Sequence, residues 1–202
     1  VMVGVGRGAA AGVLIRDAEA LERFEKVDTL VVDKTGTLTE GKPRLTSVVP
    51  AAGVAESELL GLAQAVERGS EHPLAAAIVA GAVERGAASQ TATAVQASAG
   101  EGVAGMVGGR RVVLGSRRFV EGQGIVLGAL AEAGARFAEA GQSIVYLAAD
   151  GRAMGVLGVA DPVKASAGEA IAQLRAEGLK VVMLTGDNRV TALAVARALS
   201  IS

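Results

Sequence analysis

The chain of 202 residues has no cysteine, no tryptophan and a single histidine. Without cysteine, disulfides and thiolate metal sites are excluded, and a reducing cytosolic setting is compatible. The lone His72 cannot make a metal cluster by itself. Aromatic residues are only 2% of the chain, so the core must be aliphatic. Long basic runs are missing and the formal net charge is −1, which argues against nucleic acid as a main partner. No stretch reaches the ~20 apolar residues a membrane-crossing helix needs. The nearest candidate, Val1 to Ile15, is shorter, glycine-rich and carries Arg7. It also lacks the start Met and basic leader of a secretory signal. The chain opens on Val1 and stops mid-pattern at Ser202, so an excised piece of something larger is expected. What is present is half apolar, mostly Ala, Val and Leu, which is too apolar for disorder. The length suits one large domain or two small ones.

Thr29 to Val32 is a short β-branched run that ends at Asp33, and Leu179 to Leu184 repeats the pattern before Thr185-Gly186-Asp187-Asn188. Continuous apolar runs bounded by polar loops suit strands buried on both faces. Helices are expected over Asp17–Phe24, with Asp17 as N-cap, over Ala165–Glu177, with Gly178 just past its end, and over Arg189–Leu199. Alternating strands and helices imply a doubly wound parallel sheet. The middle reads differently. Glu56–Arg68 and Pro73–Arg85 read as helices, with Pro73 in the first helical position. Strands are expected over Thr91–Ala97, Val103–Val107, Arg111–Leu114, Ser143–Ala149 and Arg152–Leu157, with a helix near Leu127–Ala140. Gly108-Gly109 and Asp150-Gly151 are hairpin turn signals. The chain is therefore expected to be α/β, with an α+β antiparallel unit over 47–158 inserted into a discontinuous domain of 1–46 and 159–202.

Ligands of open parallel sheets sit at the carboxyl ends of the strands. Asp33 and Asp187 follow two such ends, so two acidic loops converge. Carboxylates there suit Mg²⁺, which takes one or two of them plus phosphate oxygens and water. Such an ion neutralises charge on a transferring phosphoryl group. Aspartate is itself a covalent acceptor of phosphate. Lys34, Thr35, Gly36 and Thr37 add a cation, hydroxyls and backbone amides expected to be free, with Gly36 letting the chain turn closely. The competing reading is a solvated turn, disfavoured by seven matching residues placed directly after a buried strand.

Asp33-Lys34-Thr35-Gly36-Thr37-Leu38-Thr39 resembles the phosphorylation motif of the P-type ATPases. Thr185-Gly186-Asp187-Asn188 resembles their second phosphate-site motif, and Asp161-Pro162 a third. Ser70-Glu71-His72-Pro73-Leu74 and Gly100-Glu101-Gly102-Val103 are similar to nucleotide-domain motifs of the heavy-metal-transporting subclass. Leu14-Ile15-Arg16 through Glu22 resembles the stretch joining a membrane helix to the phosphorylation domain, most like copper-exporting members. The likeness covers essentially the whole chain.

The resemblance implies a haloacid-dehalogenase-like phosphorylation domain, C-terminally incomplete, carrying an inserted nucleotide-binding domain. It implies Asp33 as the phosphorylated nucleophile with Lys34 and Thr37 around it, and Thr35 helping Asp33 hold Mg²⁺. It implies Thr185, Gly186 and Asp187 against the phosphoryl group, Glu67 and His72 at the adenine end of ATP, and Gly100, Gly102 and Gly115 in the same pocket. Ser116 stands where copper-type relatives often carry Asn, and lacks the amide donor. The family's later Gly-Asp-Gly-x-Asn-Asp motif is absent from the chain, so an incomplete phosphoryl-transfer site and an intact nucleotide pocket are expected. ATP and Mg²⁺ are the implied substrate and cofactor. Transmembrane and actuator domains, and a metal-binding domain or metallochaperone, are the implied partners. The implied location is the cytoplasmic side of a membrane pump.

Blander readings stand beside these. His72 before Pro73 suits a helix cap as well as nucleotide contact; Asp161 suits a cap as well as a phosphate site; Asp187 suits both a cap and catalysis. Gly36 to Lys42 imitates a P-loop but places Pro43 where Ser or Thr is required. Gly100-x-Gly102-x-x-Gly105 matches a dinucleotide fingerprint but precedes a strand rather than a helix. Two rival functions share the motifs: a soluble phosphatase of the same superfamily, and a nucleotide-binding module without catalysis. The phosphatase normally has a second Asp two residues after the nucleophile, where this chain has Thr35.

Overall fold

The computed structural model describes residues 2–14, 17–186 and 189–201. In chain order the elements are α1 Met2–Ala10, α2 Ala18–Phe24, β1 Thr29–Asp33, β2 Arg44–Pro50, α3 Glu56–Glu67, α4 Pro73–Glu84, β3 Ala92–Ser98 and β4 Gly102–Val107. They continue with β5 Arg110–Gly115, α5 Arg117–Glu121, α6 Ala129–Glu139, β6 Ser143–Ala149, β7 Arg152–Ala160, α7 Ala167–Ala176, β8 Lys180–Leu184 and α8 Arg189–Ala198.

Two sheets organise the chain. β1 pairs in parallel with β8, while six antiparallel strands run in the order β2-β7-β6-β5-β4-β3. Both expected hairpins form with two-residue loops, joining Val107 to Arg110 and Ala149 to Arg152. Gly108 and Gly109 sit at φ 56° and 80°, Asp150 and Gly151 at φ 50° and 76°. Positive φ at both loop residues is the turn geometry that matches strand twist. α4 begins as expected on Pro73, and Asp17 caps α2 by accepting the Glu19 N–H through Oδ1 at 2.9 Å.

The six-stranded sheet is covered on both faces, and side-chain alternation sorts its residues. Val112, Leu114, Val145 and Leu147 point into a core completed by α3 and α4 through Leu59, Leu60 and Ile78. Their neighbours Val113, Tyr146 and Ala148 join Val120, Leu127 and Leu130 on the other face, under α5 and α6. Each fully buried leucine contributes roughly 2 kcal/mol. β2 pairs with β7 along its length, so Arg44–Thr46 and Val159–Ala160 are strand residues of the six-stranded sheet. That sheet thus reaches further along the chain on both sides than 47–158. A smaller third core joins Leu38, Ile171, Val181, Val195 and Leu199 beneath α7 and α8.

The two sheets are linked where the chain leaves β1 and where it returns from β7. The Glu40 N–H donates to the Pro162 carbonyl at 2.8 Å and the Lys164 N–H to the Leu38 carbonyl at 2.9 Å. Asp161 binds across the pair: its Oδ1 accepts the Lys42 N–H at 3.0 Å and its Oδ2 accepts the Thr39 hydroxyl at 2.5 Å. Among the described residues, no helix is long and apolar enough to cross a membrane.

Candidate functional site

Asp33 is the exposed last residue of β1, in register with Leu184 of β8. The parallel pairing therefore delivers Thr185 and Gly186 to the same sheet end as Asp33. Asp187 lies outside the described residues. Past Asp33 the chain makes a tight turn, with Thr35 at φ −76°, ψ 121° and Gly36 at φ 76°, ψ −13°. These are the central angles of a type II turn, whose second position needs positive φ and so favours Gly. Thr35 and Thr37 are exposed on this turn, while the Lys34 side chain is buried.

Thr39, fully buried, closes the loop from behind. Its N–H donates to the Lys34 carbonyl at 3.1 Å, and its Oγ1 accepts the Gly36 N–H at 3.2 Å. The Gly36 amide, expected to be free for a phosphate, is thus committed to Thr39. Lys164 adds a further tie, donating from Nζ to the Gly36 carbonyl at 2.7 Å. Asp161 lies behind the loop through its bond to Thr39, well ahead of α7, so it ties the crossing strands rather than capping a helix.

The second site is a cavity of about 980 Å³ in the inserted unit. Glu67, His72, Gly100, Gly102, Gly115 and Ser116 all line it. The helical ends of α3 and α4 supply the first two; the β3–β4 turn and the end of β5 supply the others. His72 performs the capping role as well, because its Nδ1 accepts the Leu74 N–H at 3.1 Å. That bond leaves the proton of the neutral ring on Nε2, which remains available as a donor. Ser116 caps α5 by accepting the Phe119 N–H at 3.2 Å. Gly102 and Gly115 face each other across β4 and β5. A Cβ on either would collide with the Phe119 ring and the neighbouring backbone. The glycines therefore let two strands and a ring close up beside the cavity. Gly100 turns at φ 72° into β4, so the dinucleotide fingerprint sits in a hairpin, without the helix it requires.

The cavity walls are largely apolar, and their charges are Glu67, Glu71 and Glu101 against Arg68. Arg68 already donates to Ser89 Oγ at 2.7 Å. Burial pushes the Glu67 carboxyl above its ordinary value. Such walls suit a neutral heterocycle better than a polyphosphate. Sequence reasoning missed Gln90, Thr91, Ile144 and Val145, which also line the cavity. Thr91, Ile144 and Val145 were legible only as strand residues, and nothing local marks Gln90. Among the described residues no group of three His, Asp or Glu side chains stands together as a metal cage.

Residues 27–202 match the haloacid dehalogenase-like hydrolase family, and the chain belongs to it. Its particular likenesses lie among metal pumps. It is 49% identical, over its whole length, to the copper-transporting P-type ATPase of Rhizobium leguminosarum bv. viciae, and 48% identical to the silver exporting P-type ATPase of Salmonella typhimurium. It spans 24% of each of those proteins. Among solved structures it is similar to a zinc-transporting PIB-type ATPase in the E2.Pi state, with TM-score 0.81 and 39% identity, covering all of this chain and 33% of that one. The N-domain of the copper-transporting P-type ATPase HMA6 matches at TM-score 0.51 and 29% identity, covering 59% of this chain and 99% of that one.

Proposed function

We propose that this chain is the ATP-binding and phosphorylation unit of a heavy-metal-exporting P-type ATPase, with Cu⁺ as the transported ion. In this reading 47–158 is the body of the nucleotide domain and the flanking segments form the phosphorylation domain, on the cytoplasmic side of a membrane pump. One observation carries it: six residues singled out for nucleotide contact line one cavity, in a chain whose Asp33 stands beside the Thr185-Gly186 loop. The copper and silver names of the relatives at 48–49% identity support copper as the cargo.

The base enters the apolar cavity, with Nε2 of His72 donating to it and Glu67 beside it. The acidic lining turns the phosphates outward. At the second site an Asp33 carboxylate oxygen attacks the γ-phosphorus, the bond from that phosphorus to the bridging oxygen breaks, and ADP departs with the electron pair. The Asp33 carboxylate and the carbonyl of Thr35, both on exposed residues, are hard oxygen donors, too few to enclose a cation but suited to Mg²⁺ that keeps water and phosphate oxygens. Bound there, Mg²⁺ supplies charge neutralisation on the phosphates. Thr35 gives no carboxylate to activate water against the aspartyl phosphate, so the phosphoenzyme persists through a conformational step. That persistence suits a pump and disfavours the phosphatase reading.

Calorimetric titration with ATP tests the cavity. His72→Gln is expected to weaken binding about tenfold, the loss of one good hydrogen bond, while the melt falls by no more than the loss of the α4 cap, about 1 kcal/mol. Equal affinity in wild type and variant would remove His72 from the site. The acceptor is tested with γ-labelled ATP: in a pump that carries this unit, acid-stable label is expected and is lost in Asp33→Asn, whereas the 202-residue chain by itself is expected to label poorly, and ready stoichiometric labelling of it would overturn the incomplete site.

A further inference from the structure

The inserted unit touches the β1–β8 part of the chain away from the crossing strands, at a place none of the motifs includes. There the turn between α6 and β6, Gly141-Gln142, rests on α8. The Gln142 carbonyl accepts the Thr191 hydroxyl at 3.3 Å, and Thr191 is buried at this contact. A Cβ built on Gly141, which sits at φ 80°, would lie 3.4 Å from the Ala194 Cβ and 3.7 Å from Val195. Glycine thus suits the turn, which lies within ordinary van der Waals reach of the helix.

Gln142 is also held within its own unit. Its Oε1 lies 3.0 Å from the Thr46 hydroxyl of β2, and its side chain covers Gly158 of β7. Two residues later β6 reaches Ile144 in the cavity wall. On the other side of the contact, α8 is the helix that follows the Thr185-Gly186 loop. The contact between Gln142 and Thr191 therefore joins the strand that reaches the cavity wall to the helix that follows the Thr185-Gly186 loop in sequence.

We propose that Gly141-Gln142 is a docking latch on α8 and that it couples nucleotide in the cavity to the position of the Thr185-Gly186 loop. Thr191 and Gln142 are positioning residues in this scheme. The proposal rests on the nucleotide reading of the cavity. The latch has a docked and an undocked arrangement, and nucleotide ordering β6 favours the docked one. By linkage, undocking weakens nucleotide binding by the same factor that nucleotide strengthens docking.

The test is amide hydrogen exchange on the full 202-residue chain, with and without a non-hydrolysable ATP analogue. In the wild type the analogue is expected to slow exchange in segment 90–103 and, by about fivefold, in segment 184–193. Ala194→Arg places a long charged side chain under the turn without entering the cavity. It is expected to abolish the second effect, keep the first, and weaken the analogue by up to about fivefold in calorimetry. Thr191→Val, which keeps the packing and loses the hydroxyl, is expected to reduce the second effect only partly. Protection of 90–103 with no change in 184–193 of the wild type would overturn the coupling and leave the nucleotide reading standing. Protection in neither segment would overturn both.

Discussion

The six-stranded sheet and the β1–β8 pair are built on different terms. The first is covered on both faces and has two continuous cores. The second is covered on one. Val32 and Met183 face α7 and α8, while Val31 and Leu184 on the other face are 58% and 63% exposed. Parallel sheets are usually buried on both sides. Within this chain, then, the unit that holds the 980 Å³ cavity has the larger buried core and is expected to be the more stable, and the unit that holds Asp33 has the smaller one. The acceptor loop compensates locally through the Thr39, Lys164 and Asp161 bonds.

The largest expected effects break that comparison directly. Tyr146, the only tyrosine in the chain, is buried in the six-stranded unit. Its fluorescence therefore reports that unit, while far-ultraviolet circular dichroism reports both. In urea, loss of ellipticity is expected to begin before the tyrosine signal moves. Leu157→Ala is expected to destabilise the tyrosine-reported transition by about 3 kcal/mol, through lost burial and the remaining cavity. Ile171→Ala, beneath the two-stranded sheet, is expected to move the early ellipticity change and leave the tyrosine midpoint in place. One shared transition in both variants would collapse the two units into one.

A middling effect sharpens the account of the cavity. Ser116→Ala removes the cap of α5 and is expected to cost about 1 kcal/mol in the tyrosine-reported transition. Ser116→Asn, which keeps a capping oxygen, is expected to restore it. The smallest effect concerns charge. Because burial raises the Glu67 pKa, the folded state holds that proton more tightly than the unfolded chain. The contribution is present below the ordinary glutamate value of 4.5 and is lost as pH rises through the raised folded value. Glu67→Gln removes that loss. The variant is expected to melt ~2 °C or less above wild type at pH 7 and to match it in acid.

Much of the fold was legible because its signals are local. Gly108-Gly109 and Asp150-Gly151 mark both hairpins, Pro73 marks a helix start, and Gly178 turns at φ 87° after α7. What escaped depends on distant partners. Arg44–Pro50 has Pro43 before it and Pro50 at its end, which hide a strand signal, yet pairing with β7 makes it an edge strand. α5 spans five residues, too few for a helical period to show. The cavity residues were found through motif likeness, since nothing in Glu67 or Gly115 alone announces a pocket. The Gly36 amide was misjudged because its acceptor, Thr39 Oγ1, is aimed by the bonds of a buried loop rather than by sequence spacing.

The paired bonds between Glu40–Lys42 and Asp161–Lys164 have a mechanical consequence. A body hung on one strand swivels in every direction. A body hung on two strands fastened side by side bends about a single axis and resists twisting. The inserted unit is therefore expected to bend about that axis, and in the proposed reading a nucleotide in its cavity approaches Asp33 along one angle.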